Sequence, residues 1–412
     1  MRANREIWKF FWISIASLLC ATSAWADSWV MPTTETTSSD NGQYRVTIIP
    51  RDLESQLAYF EDKVDEKEAA GQQPGSANTS AVAFVERKAG GGNWVELWRK
   101  PLVNDVAPVS ALISSDGKYV VTFDNWHSAG YGDNVIVVYG ADGTLIRKLG
   151  LEQILPPYYV YALPKSISSR WWSGERKLLD DQVTLELSIA DTSTERHSGQ
   201  QAFVKLRYNV ETGATEFLNE AAWERARIAA VEKTKIEVSG GREYIATQRA
   251  PLTPPTSMDE REWGQYVYLA MKRLGQESSA IEQREIVFLP NDSSKPSGSH
   301  NQIIYELENG STDKGSKVII LATPDQPALI QFLERHRKLL SKKQSEGITF
   351  KVFASDTYWP RIRDLLALSG ADVVQLPMTP IEQSEKGLAN LKQFELELDK
   401  VEQSYPEAHI AG

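Results

Sequence analysis

The densest set of reactive side chains in the sequence is Asp124-Asn-Trp-His127, followed closely by Tyr131-Gly-Asp133. Asp124, His127 and Asp133 offer two carboxylates and one imidazole, and Asn125 and Asn134 add amide carbonyls. Such a mixture is a ligand set that a divalent ion accepts. The same stretch also describes a long hairpin loop, with Gly130 and Gly132 shaping the turn and Trp126 and Tyr131 covering the sheet end. Its spacing matches neither an EF-hand loop nor HExxH.

A second set is Asp325, in Thr323-Pro-Asp325, with Asp356, in Ser355-Asp-Thr357. Each is expected just beyond a strand. Ligands of open α/β sheets gather outside the carboxyl ends of strands, where two aspartates can serve as an acid/base pair or hold a cation. Aspartate there also caps the next helix by accepting from a free N–H, and capping is the simpler role. Neither loop is glycine-rich, and the chain has no GxGxxG, GxxxxGK[ST] or GxSxG motif. The histidines (His127, His197, His300, His336 and His409) are scattered. No motif names a cofactor. Tryptophan is the remaining lead. Trp94, Trp98, Trp126, Trp171 and Trp172 concentrate in the first half, where most are expected to fill a core. Trp171 and Trp172 are the pair that could line a binding face.

The elements that must position these residues change character along the chain. From Ala81 to Leu218, short β-branched and aromatic runs alternate with Gly, Asp and Asn turns, the pattern of antiparallel strands. Strands are expected at 43–49, 94–98, 135–139, 144–147, 183–187 and 206–210, and a charged helix within 52–69. Ser39-Asp-Asn-Gly-Gln-Tyr-Arg-Val46 and Ser114-Ser-Asp-Gly-Lys-Tyr-Val-Val121 form a loose repeat, and a third unit starts near Ser168-Ser-Arg-Trp-Trp172. From Glu220 the period becomes helical. Residues 220–256 read as a helical connector with a Pro-rich break. Beyond it come a helix at 259–274 capped by Ser257, strands at 285–289, 302–307, 317–322, 349–353 and 372–376, and helices at 327–344, 358–369 and 381–403. Polar loops are expected at 292–300 and 310–316. The fold class is therefore α+β in two domains: an antiparallel β-module at 27–219, propeller-like or a sandwich, and a small α/β domain at 257–412 with a mainly parallel sheet.

The units within residues 39–218 resemble the blades of β-propeller proteins, in which four antiparallel strands make one repeat. The run from Thr122 to Asn134, with Ser168-Ser-Arg-Trp-Trp172, is similar to exported bacterial proteins of unknown function. That resemblance implies a secreted β-module and carries no activity with it.

The first residues have the layout of a secretory leader. Arg2, Arg5 and Lys9 precede the apolar Phe10–Ala21, and Ala24-Trp25-Ala26 presents small residues for cleavage before Asp27. The sole cysteine, Cys20, falls inside this segment, and the bulky Leu19 before it disfavours lipidation. Cleavage would leave a thiol-free chain, which suits a periplasmic or secreted protein. Removing the leader moves the net charge from −10 to about −12. The acidic balance argues against nucleic acid as a partner, and no later segment reaches membrane-spanning length. The expected function is a non-enzymatic binding or assembly module of the cell envelope, with an envelope protein or glycan as partner. The competing expectation is a secreted hydrolase, with or without a metal, whose site lies between the two halves and uses Asp325, Asp356 or the His127 loop. Leu388, Leu391, Phe394, Leu398 and Val401 form an apolar stripe on the last helix that packs on its own domain or pairs two copies.

Overall fold

A computed structural model describes residues 29–65, 67–194, 201–275, 282–290, 298–309, 317–342 and 345–406. The leader with Cys20, His197, His409 and the expected loop at 310–316 lie outside these residues. The chain divides into two compact units, one running to Glu237 and resuming at Lys400, the other spanning Val238–Asp399.

The first unit holds three four-stranded antiparallel sheets, each built from strands consecutive in sequence. The first contains β1 (Glu35–Ser38), β2 (Tyr44–Ile49), β3 (Val82–Lys88) and β4 (Trp94–Pro101), with helix α1 (Gln56–Val64) between β2 and β3. The second contains β5 (Pro108–Ile113), β6 (Val120–Asn125), β7 (Ile136–Tyr139) and β8 (Leu145–Leu149). Helix α2 (Pro157–Ala162) leads to β9 (Ser173–Leu178), β10 (Thr184–Ala190), β11 (Phe203–Asn209) and β12 (Thr215–Phe217). The third sheet thus begins after Trp172 rather than within Ser168–Trp172.

The repeat seen in sequence is a repeated turn. The Ser39 hydroxyl accepts from the Tyr44 N–H at 3.1 Å and donates to Asn41; the Ser114 hydroxyl accepts from the Tyr119 N–H at 2.9 Å and donates to Asp116. Gly117 completes the second turn at φ +72°, and a Cβ there would lie 2.3 Å from the Tyr44 ring. Only glycine fits both the left-handed backbone and that approach.

Alternation along the strands decides how the sheets pack. Val46, Val85 and Trp98 of the first sheet share a core with Ile113, Val120 and Tyr139 of the second. Val121, Phe123 and Ile136, also of the second sheet, are fully buried, as are Leu185, Leu187 and Leu206 of the third. The β6 and β7 strands are therefore buried on both faces. Polar pairs occupy the outward faces: Arg45–Glu86 at 2.6 Å on the first sheet and Lys205–Glu186 at 2.9 Å on the third.

Helix α3 (Glu220–Arg249) begins in the first unit and ends in the second. There follow α4 (Glu260–Arg273), β13 (Glu282–Val287), α5 (Gly298–Asn309), β14 (Lys317–Ala322), α6 (Gln326–Arg335), α7 (Arg337–Leu340), β15 (Ile348–Phe353), α8 (Trp359–Leu366), β16 (Asp372–Leu376) and α9 (Glu385–Gln403). The sheet is parallel, in the order β13-β14-β15-β16. One face packs on Trp263, Tyr266 and Met271 of α4, the other on Ile303, Phe332 and Ile362 of the crossover helices. These observations establish an α+β layout.

Two local expectations are corrected. Residues 302–307 are helical, because Ile303 and Leu307 stand one turn apart and both face the core. Asp259, not Ser257, caps α4, accepting from the Arg261 and Glu262 N–H groups at 2.8 and 3.1 Å. On α9, Leu398 is buried where Gly241 lets the two helices approach, and Leu388 remains exposed. Among the described residues no helix is long and apolar enough to cross a membrane.

Candidate functional site

Asp124, the penultimate residue of β6, has φ +59°, a left-handed conformation unusual for a residue with a side chain. That backbone turns its carboxylate inward, where three donors meet it. Oδ1 accepts from the Gly130 N–H at 2.8 Å and from Trp172 Nε1 at 2.9 Å, and Oδ2 accepts from Arg176 Nη2 at 2.9 Å. Arg176, on β9, also donates to Ser110 of β5 and to Ser173. Its guanidinium lies 4.6 Å from the Phe123 ring centre and 4.9 Å from that of Trp172. Burial pushes the Asp124 carboxyl above the ordinary carboxylate range, and Arg176 and the two N–H donors pull it back. Burial likewise lowers the Arg176 guanidinium, against the pull of Asp124. This buried pair joins the second sheet to the third.

The structure thus brings Asp124 and Trp172 together but does not bring Asp124, His127 and Asp133 into a ligand set. Among the described residues no group of three His, Cys, Asp or Glu side chains could hold a metal ion. Asp133 is exposed and pairs with Lys148 at 3.6 Å. His127, at φ +67°, turns the other way, into a ring of aromatics. Its imidazole lies 4.2 Å from Phe60, 5.6 Å from Trp29 and Trp126, and 6.3 Å from Tyr59, centre to centre. Trp172 is buried to 1 % exposure, so it lines no face; Trp171, at 36 %, stays accessible.

In the second unit Asp325 accepts from the Ala328 N–H at 2.9 Å and caps α6. Asp356 is exposed and accepts from Gln375 Nε2 at 3.0 Å. Between them Gln326 Oε1 accepts from the Ser355 N–H and hydroxyl, binding the strand ends together. The strand order never reverses, so this edge lacks the crevice that a topological switch creates.

A pocket of about 210 Å³ lies beside β1, β2 and β5 in the first unit. Its walls are mostly apolar: Trp29, Met31, Ile48, Val109 and Trp126, with Glu35, Thr37 and Ser110 as polar groups. The Trp126 Nε1–H donates to the Val30 carbonyl at 2.9 Å, and the Trp29 Nε1–H donates to Ser168 at 3.2 Å. Both indoles are therefore fixed in place: Trp126 is buried against Tyr59 and His127, and Trp29, packed on the same cluster, is half-buried. An apolar pocket with a few converging polar groups is the usual form of a small-ligand site. A wider hollow of about 600 Å³ over the third sheet is lined by Lys177, Asp181, Arg207 and Glu216, charges of both signs on a solvated face. Trp126 is expected at the sheet end from its loop, whereas Trp29 and Met31 carry no such signal in the sequence. Nothing in residue spacing brings position 29 beside position 126.

No family model matches the chain, and no curated protein matches it. Among solved structures it is similar to one described as AtxE2 isopeptidase in the apo state, at 10 % identity and a TM-score of 0.16. That match covers 90 % of this chain and 55 % of the other, so the chain spans about half that structure's length. A likeness of this size carries no argument about fold or function.

Proposed function

We propose that the protein is an exported, non-enzymatic binding module of the cell envelope, and that its first unit holds one compact group of its partner in the Trp29–Trp126 pocket. One observation carries this reading: two indoles, each fixed by its own N–H bond, flank a preformed cavity with Glu35, Thr37 and Ser110 at hand. A cavity of about 210 Å³ suits a single sugar ring or one amino-acid side chain, the repeating groups of an envelope glycan or peptide. Indole faces stack on such groups, and preorganisation lowers the cost of binding them. The three sheets fit propeller-like blades in an open stack, a scaffold that keeps the pocket rigid. Asp124, Asp325 and Asp356, the best candidates for catalysis, each accept hydrogen bonds that hold the fold together.

The test is a thermal-shift and tryptophan-fluorescence titration of the mature chain with N-acetylglucosamine and muramyl dipeptide. A ligand of the native state raises its melting temperature. Val109→Trp, which fills the pocket while keeping both indoles, should remove that rise. A rise that persists in Val109→Trp would place binding elsewhere.

A further inference from the structure

On an acidic chain of net charge −10, one stretch of the second unit has the opposite sign. Arg335, Arg337, Lys338 and Lys342 lie at the end of α6, along α7 and just beyond, and all four are exposed. None of the four forms an ion pair with another described residue. The neighbouring cations differ: Arg361 of α8 pairs with Glu334 at 2.5 Å, and Arg363 pairs with Asp364 at 2.8 Å. His336 turns inward, its ring 4.4 Å from that of Phe332, and its Nδ1 lies 2.9 Å from the Phe332 carbonyl oxygen. Leu333 and Leu340 are buried and pin the segment to the core. Cations near a helix C-terminus complement its dipole, but that effect falls off within the last turn, and Lys342 lies beyond it.

We propose that this basic patch docks the protein on an anionic phospholipid surface. The four exposed side chains are distributed along eight residues, from the end of α6 through α7 to just beyond it. That arrangement fits a planar field of phosphates better than one phosphate, which needs several donors aimed at a single place. Each Lys or Arg near an anionic leaflet adds attraction that decays within a Debye length, about 10 Å at 0.1 M salt. The rest of the chain is acidic and repelled by the same surface, so the patch also sets the orientation. The proposal is independent of the tryptophan pocket.

The test is co-sedimentation of the mature chain with phosphatidylglycerol/phosphatidylcholine vesicles and with phosphatidylcholine alone. Binding is expected only to the anionic vesicles and should weaken steeply between 0.05 and 0.5 M NaCl. The triple variant Arg335→Glu, Lys338→Glu, Lys342→Glu should bind at least about tenfold more weakly with an unchanged melting temperature. Lys338→Arg with Lys342→Arg should bind like the parent. Equal binding to neutral vesicles, full retention in the triple variant, or binding to soluble polyphosphate but not to vesicles would overturn the proposal.

Discussion

Asp124 in the first unit and Asp325 in the second are both aspartates at the end of a strand, yet their surroundings have almost nothing in common. Three donors converge on Asp124 in the interior, from a turn, from Trp172 and from a strand of the next sheet. Asp325 is half-buried and receives one N–H from the helix it starts. The antiparallel unit stacks separate sheets and needs a polar tie across them, which Asp124 supplies together with Arg176. The parallel unit covers one sheet with helices, and at its edge Asp325 satisfies a helix start while Asp356 accepts from Gln375 of the neighbouring strand. A strand-end aspartate is thus assigned its role by the layer it faces.

Removing each aspartate is the sharpest way to break this comparison. Asp124→Ala strands the Arg176 charge inside the protein and should cost the first unit about 3–5 kcal/mol, read from denaturant unfolding followed by circular dichroism. The parallel unit should be unaffected. Gly130→Ala attacks the same tie from the backbone: Gly130 has φ +72°, and a Cβ would sit 2.7 Å from the Arg170 carbonyl oxygen. It should cost about 1–3 kcal/mol in the same assay. Asp325→Ala removes only a cap and should cost the second unit about 1 kcal/mol. A larger effect at Asp325 than at Asp124 would reverse the comparison.

The smallest effect concerns pH. Burial, with help from the nearby His336 and Arg335, pulls the His300 imidazole below its ordinary value, while its bond to the Leu289 carbonyl opposes this. The folded second unit therefore holds His300 neutral, stacked on Phe288 at 4.6 Å. An unfolded histidine takes up its proton near pH 6.5. Stability from this group is complete above that pH and is lost as pH falls toward the lower folded value. His300→Phe keeps the stack and should flatten the decline in melting temperature between pH 7 and pH 5. An unchanged slope would remove His300 from the explanation.

Much of the fold was legible because its signals are local. Asp-Gly and Thr-Gly turns marked the hairpins at Gly117, Gly143 and Gly213, all with φ between +72° and +78°. The parallel strands 317–322, 348–353 and 372–376 stood out as apolar runs between helical segments. Gln302–Leu307 was misread as a strand because adjacent Ile303 and Ile304 favour extended chain, while burial of Ile303 and Leu307 against the sheet decides for helix. The site was much less legible. Asp124 stood out by type, but Arg176 lies 52 positions away, and Trp29 packs on the cluster of Trp126 from nearly a hundred residues earlier in the chain. No spacing rule reaches that far.

The buried acid of the first unit fastens the second sheet to the third. A double-mutant cycle over Asp124→Asn and Arg176→Gln, measured by equilibrium unfolding, tests it directly. A fastener predicts that the two changes are strongly coupled, by about 2 kcal/mol, because either one alone already breaks the link. Effects that simply add, with coupling within about 0.3 kcal/mol of zero, would contradict it.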